Sequence, residues 1–399
     1  MNLARLVAAQ LAYRPLQTAL SVALLAVGVA TLVLLAQLRE QLTRQLTRDA
    51  QGIDLVVGAK GSPLQLILSA VYHVDVPTGN VPAGTVSQLR ANRLVAKAIP
   101  VALGDNLRGF RIVGTEPALL EHYGARLADG RLWQRTMEAV LGAEVARATA
   151  LAVGSRFRGV HGLAAGGPEH EEAEYTVAGV LAPTGTVLDR LVLTSLESVW
   201  FVHEGDTVDA AEAAVLAAER AVTAVLVSYA SPLAAAVLPR QVNAEPQWMA
   251  AVPATELARL FALLGVAIDV VRAFAIVLFA AAMLALFVAL TNALEERRYD
   301  FAVLRLLGAG PLRLAALMLG QAWALALVAI GAGVALAASA MFGVGRWLER
   351  ARSFPLGGFE VDAPTLAVIA LALGVATLAV AWPAWRAARI DLHRTLARG

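Results

Sequence analysis

The chain has 399 residues, of which 58% are hydrophobic, above the roughly 45 to 50% apolar share of soluble domains. A formal net charge of +2 offers no clustered basic face for phosphates, which argues against a nucleic-acid partner. With no cysteine there is no disulfide framework, thiolate metal site or thiol nucleophile. The length accommodates a helical membrane unit and one folded domain of ordinary size.

A hydrocarbon core about 30 Å thick takes roughly 20 apolar residues of helix. Four uncharged runs qualify, at 15–38, 273–294, 314–340 and 363–385. A fifth, at 221–239, clusters β-branched residues ahead of Pro232 and suits a buried strand and a short helix better than a span. The first run is about twice the apolar core of a cleaved leader, so it should stay as an anchor. Arginines set the expected orientation: Arg5 and Arg14, then Arg297, Arg298, Arg305 and Arg313, then Arg386, Arg389, Arg394 and Arg398 belong to cytoplasmic segments. Arg346, Arg350 and Arg352 oppose this bias without reversing it.

In chain order the expectation is a cytoplasmic amphipathic segment at 1–14, the first span, and an extracytoplasmic α+β domain with its stalk helices at 39–272. The second span, a cytoplasmic loop at 295–313, the third span, a short outer loop at 341–362, the fourth span and a cytoplasmic tail at 386–399 follow. The fold class is a mainly helical membrane protein with both termini inside. Leu35, Leu38, Leu42 and Leu46 continue the first helix at helical spacing, and Leu257, Leu260, Phe261, Leu264, Ile268 and Val271 lead into the second. These stripes fit either a two-helix stalk continuous with the spans or surface helices packed on the domain. In the third span Gly331, Ala335, Ser339 and Gly343 recur every four residues, a candidate helix-packing ridge.

No phosphate-cradling GxxxxGK[ST] loop occurs, so any ATP must be bound by another subunit. The stretch from Gly58 to Pro63 has the wrong spacing and reads as a turn. Glu169, His170, Glu171, Glu172 and Glu174 after a Gly-Gly-Pro read as a solvated loop, and His73 with Asp75 as ordinary side chains, although either group has metal-ligating residue types. No hydrolase motif is present, and no carboxylate or histidine lies mid-span to relay protons. Neither a catalytic residue, a cofactor nor a metal is expected.

The cytoplasmic loop is more than a tether. Phe301, Leu304 and Leu307 recur at helical spacing, and Gly308, Ala309, Gly310 and Pro311 supply a stop. A short amphipathic helix there could rest on lipid headgroups or dock into a partner's groove.

The segment 295–310, EERRYDFAVLRLLGAG, resembles the E-R-x-x-[DE]-[FI]-[AG]-[VI]-L-R-x-[LI]-G-A segment of ABC transporter permeases of the FtsX and MacB superfamily. The stretches 54–65, DLVVGAKGSPLQ, and 383–391, PAWRAARID, and the placement of one large domain after the first of four spans are similar to the same family. At 392–396 the chain departs from relatives that carry a proline after the aspartate. The resemblance implies a permease subunit of the bacterial cytoplasmic membrane, not itself an enzyme, that forms a homodimer or heterodimer and pairs with a separate ATP-binding subunit. Glu296, Arg297, Asp300, Phe301, Leu304, Arg305, Leu307, Gly308 and Ala309 would then form the coupling helix docked on that ATPase. Export, lipoprotein release and control of an extracytoplasmic partner such as a cell-wall hydrolase all occur in the superfamily.

Overall fold

The computed structural model describes residues 15–160, 169–204, 219–296, 299, 303, 305–350 and 357–388. Four long helices carry the apolar runs: α1 (Pro15–Asp49), α8 (Pro253–Glu296), α9 (Pro311–Arg350) and α10 (Ala363–Ala388). Each is long and apolar enough to cross a membrane, yet only 22 to 39% of its most apolar window is buried. So much exposed apolar surface has no place in water and calls for lipid. Helix α9 runs on to Arg350 through residues that hydropathy alone assigns to the outer loop.

Contacts divide the chain into two compact units, one of 1–42 with 264–399 and one of 43–263. Both α1 and α8 pass from one unit into the other without a helix break.

The membrane unit is a four-helix bundle. Its core takes Leu25, Val29 and Val33 from α1, Phe279, Met283 and Leu286 from α8, Met318, Leu325 and Ala329 from α9, and Ala372, Ala376 and Val380 from α10. Small residues set the closest approaches: a Cβ on Gly28 would lie 3.3 Å from the Phe279 backbone, and one on Gly333 would lie 2.7 Å from the Ala26 carbonyl oxygen. At one end of the unit, buried Gln37 donates from Nε2 to the Glu360 carbonyl at 2.6 Å and to Thr365 Oγ1 at 2.9 Å. Gln41 Nε2 donates to Gln37 Oε1 at 3.2 Å and to the Gly358 carbonyl at 3.1 Å.

The second unit is mixed α and β. In chain order it holds β1 (Leu55–Ala59), α2 (Pro63–Ala70), β2 (Val81–Pro82), α3 (Gly84–Ala91), β3 (Val95–Leu107), β4 (Phe110–Thr115) and α4 (Pro117–His122). Next come β5 (Leu127–Gly130), β6 (Glu138–Leu141), α5 (Ala143–Thr149), β7 (Arg156–Val160), β8 (Glu169–Leu181), a 3-10 turn (Val187–Arg190), β9 (Val192–Thr194) and α6 (Leu196–Glu204). It closes with β10 (Ala221–Val222), β11 (Ala224–Tyr229), α7 (Pro232–Ala244) and β12 (Trp248–Ala251). The main sheet runs β12-β1-β11-β3-β4-β9-β6-β8-β5, with β7 against β3 and β8, while β10 and β2 pair separately. Strand β3 slips register between Leu103 and Asn106 and so passes from one apolar cluster to the other.

The run at 221–239 is the buried strand β11 followed by α7, which opens on Pro232, where a missing N–H costs nothing. The stretch expected as a charged loop at 169–174 instead belongs to β8, which pairs with β7 from Arg156↔Thr176 to Val160↔Glu169. The apolar run from Tyr175 to Leu181 supplies the buried part of that strand, and pairing carries it back through the charged residues.

Candidate functional site

The loop singled out in the sequence begins where α8 ends, and Glu295 there pairs with Arg386 of α10 at 3.3 Å. Arg297, Asp300, Phe301 and Leu304 lie outside the described residues. Tyr299, Val303, Arg305 and Leu306 are helical. The Leu307 N–H donates to the Val303 carbonyl and the Gly308 N–H to the Arg305 carbonyl, each at 3.0 Å. Gly308 has φ +90°, the left-handed cap that ends a helix and that side chains with a Cβ resist. After Ala309, the Gly310 carbonyl accepts from the Arg313 N–H at 3.0 Å, and α9 opens on Pro311. Leu306 and Leu307 are 62% and 79% exposed. A helix stop thus presents two large exposed apolar side chains directly after Arg305.

On α9, Gly331, Ala335, Ser339 and Gly343 all lie on the exposed face, and a Cβ on Gly331 or Gly343 would meet nothing within 4 Å. Ser339 Oγ donates back to the Ala335 carbonyl at 2.8 Å. Gly333, off that ridge, is where α1 closes in.

Among the described residues, no group of three or more His, Asp or Glu is placed to hold a metal ion. Glu174 pairs with Arg156 at 3.2 Å. His73 has its Nδ1 enclosed, and burial, helped by the charges of Arg111 and Arg190, lowers its pKa to about 3. Two guanidinium groups are poor company for a metal cation. The 58–63 stretch is a turn: Ser62 caps α2 by accepting the Gln65 N–H at 3.4 Å, and Gly58 lies under Leu66, whose Cδ1 would be 2.5 Å from an added Cβ.

A polar joint that the sequence alone does not disclose forms where α1 ends inside the second unit. Asp49 lies beyond the uncharged run of the span, after Arg39, Glu40, Arg44 and Arg48, and is fully buried. Its Oδ1 accepts the Val187 N–H at 2.8 Å and Gln45 Nε2 at 3.1 Å, and its Oδ2 lies 4.0 Å from Arg190 Nη2. Its carbonyl accepts the Tyr123 hydroxyl at 2.6 Å, and the Leu46 carbonyl accepts that of Tyr72 at 3.0 Å. The Gly185 carbonyl accepts from Gln45 and Arg48 at 3.3 and 3.4 Å. Burial raises the Asp49 pKa to about 6 against the lowering effect of Arg190, and the same burial lowers that of Arg190. A carboxylate at a helix C-terminus also opposes the helix dipole. Three separate segments, at Tyr72, at Tyr123 and at 185–190, therefore grip the last turn of α1.

These features define a multi-pass membrane protein with one large mixed domain inserted after its first helix. Residues 18–242 match the MacB-like periplasmic core domain, and residues 272–392 match the FtsX-like permease C-terminal domain. The chain belongs to the FtsX and MacB family of ABC transporter permeases. No curated protein matches it. Among solved structures, the periplasmic region of MacB from Actinobacillus actinomycetemcomitans is 11% identical, with 53% of this chain and 95% of that one covered at a TM-score of 0.35. The extracellular domain of the ABC-type transporter YknZ from Gram-positive bacteria is 12% identical, with 49% and 98% covered at a TM-score of 0.31.

Proposed function

We propose that this chain is the membrane-spanning subunit of an ABC transporter in a bacterial cytoplasmic membrane, with both termini in the cytoplasm. It couples ATP hydrolysis by a separate ATPase subunit to movement of its extracytoplasmic domain, for export, lipoprotein release or similar transport. One observation carries the reading: α1 and α8 are unbroken helices that each belong to both compact units. A helix is stiffened by its own backbone hydrogen bonds, and at 1.5 Å per residue α1, with 35 residues, is a rod of about 53 Å.

The loop between α8 and α9 is the docking element, with Glu296, Arg297, Asp300 and Arg305 selecting the partner and Phe301, Leu304 and Leu307 buried against it. Gly308 and Ala309 turn the chain back toward the bilayer. The ATPase and a second permease copy complete the assembly. A second reading, control of an extracytoplasmic enzyme without translocation, is favoured by the apolar side chains that fill the bundle interior.

Co-purification of the full chain with its ATPase tests the docking element. A Leu307→Asp, Gly308→Pro double variant should lose the ATPase while keeping its fold; a folded variant that binds normally overturns the assignment. Substrate-stimulated hydrolysis would support transport, and a response only to an extracytoplasmic hydrolase would support the second reading.

A further inference from the structure

We propose that Asp49 is a positioning residue: its buried carboxylate, held against Arg190, makes the end of α1 the joint through which this helix moves the centre of the domain's sheet. The inference rests on the coupling role proposed above and names where the force enters. Arg190 closes the 3-10 turn immediately ahead of β9, and β9 lies between β4 and β6, parallel to β4 and antiparallel to β6. A displacement of Asp49 thus acts on Val187 and Arg190 and reaches the middle of the sheet with no flexible loop in between.

A passive foot would not be built this way. Helix ends are stabilised by basic groups at the C-terminus, and a buried carboxylate there is disfavoured by both the dipole and desolvation. Neutral Asn would make the same bonds to Val187 and Gln45 without those costs. What the charge adds is attraction to Arg190, which Asn cannot supply. The groups facing the carboxylate are Arg48 from α1, Tyr72 just beyond α2, Tyr123 just beyond α4 and Arg190 from the 3-10 turn. Behind Arg190 stand Asp189 and Glu144, with His73 also close to the guanidinium.

The experiment uses the full chain with its ATPase in nanodiscs. The chain has no native cysteine, so Glu245→Cys at the exposed end of α7 takes a single donor fluorophore, with an acceptor dye in the lipid. Energy transfer is compared between the nucleotide-free and ADP-vanadate states. In the otherwise unaltered protein the transfer should change on trapping; in Asp49→Asn that change should shrink at least about threefold, with ATPase binding and folding intact. The change should also decline as the pH falls through about 6, where Asp49 takes up a proton, and the Asn variant should show no such decline.

An Asn variant that keeps the full change, or one that no longer folds, overturns the proposal, since either result makes the carboxylate a structural support or nothing at all. Failure of the ATPase to bind the protein with Asp49 intact, or binding without any change in transfer, would instead defeat the coupling role itself.

Discussion

Gln37 and Thr365, 328 positions apart in sequence, are joined by a buried side-chain hydrogen bond of 2.9 Å that ties α1 to the start of α10. Asp362 Oδ1 accepts the Thr365 N–H at 3.0 Å, so the amide of Gln37 reaches into an already capped helix end. Replacing Gln37 with Leu removes the amide hydrogen bonds to the Thr365 hydroxyl and the Glu360 carbonyl. The expected loss is about 1 to 2 kcal/mol, seen as a lower midpoint in thermal unfolding of the full chain in detergent. Gln41→Leu, nearer the surface, should lose less.

The buried joint makes the domain's stability depend on pH in two opposing ways. Asp49 has a folded pKa of about 6 against an ordinary 3.8. It therefore favours the folded state at low pH, and that contribution disappears as pH rises through 6. His73, depressed from 6.5 to about 3, works in the opposite sense: its contribution is present above 6.5 and is lost as pH falls. Asp49→Asn should consequently raise stability at pH 7.5 by about 1 to 3 kcal/mol. It should also uncover a loss of stability below pH 6.5, with a slope approaching about 1.4 kcal/mol per unit. Denaturant unfolding of the full chain at several pH values checks both; an Asn variant no more stable than its parent at pH 7.5 would refute the first.

Two glycines of α9 should respond in opposite directions. Gly331 has open space around it, so Gly331→Ala gains helix propensity, about 0.5 to 1 kcal/mol. At Gly333 an added Cβ would meet backbone of α1, and Gly333→Ala should destabilise by about 1 to 3 kcal/mol. Parallel melting curves decide the matter, and equal responses would contradict the packing described.

Orientation can be checked with single cysteines in the cysteine-free background. Glu245→Cys in the domain should react with a membrane-impermeant maleimide in intact spheroplasts, whereas Tyr299→Cys in the docking loop should react only after permeabilisation. Labelling in the reverse pattern would invert the proposed topology.

The membrane helices were legible because a helix of 18 or more uncharged apolar residues matches the thickness of a bilayer's hydrocarbon core, and the strand at 224–229 because β-branched residues precede Pro232. The helix stop between α8 and α9 was legible in its glycine: Gly308 reads as a stop and adopts φ +90°. The joint was hidden for a plain reason. Asp49 finds Val187 138 positions away, and nothing local marks Arg190 as its counter-charge. A faint signal did exist in Gln37, Gln41 and Gln45, which place amides at helical spacing in a stretch that also carries Arg39, Glu40, Arg44 and Arg48. Spacing alone does not say which small residues meet a neighbour within the chain: the ridge from Gly331 to Gly343 is exposed, while Gly333, off that ridge, packs against α1.

Because Gln37 and Asp49 belong to one unbroken helix, their angular phase is fixed at about three and a third turns. A single residue inserted between them would twist that phase by about 100°, and seven would nearly restore it. Tolerance of insertions in α1 should therefore be periodic, a rhythm that a slack tether would not show.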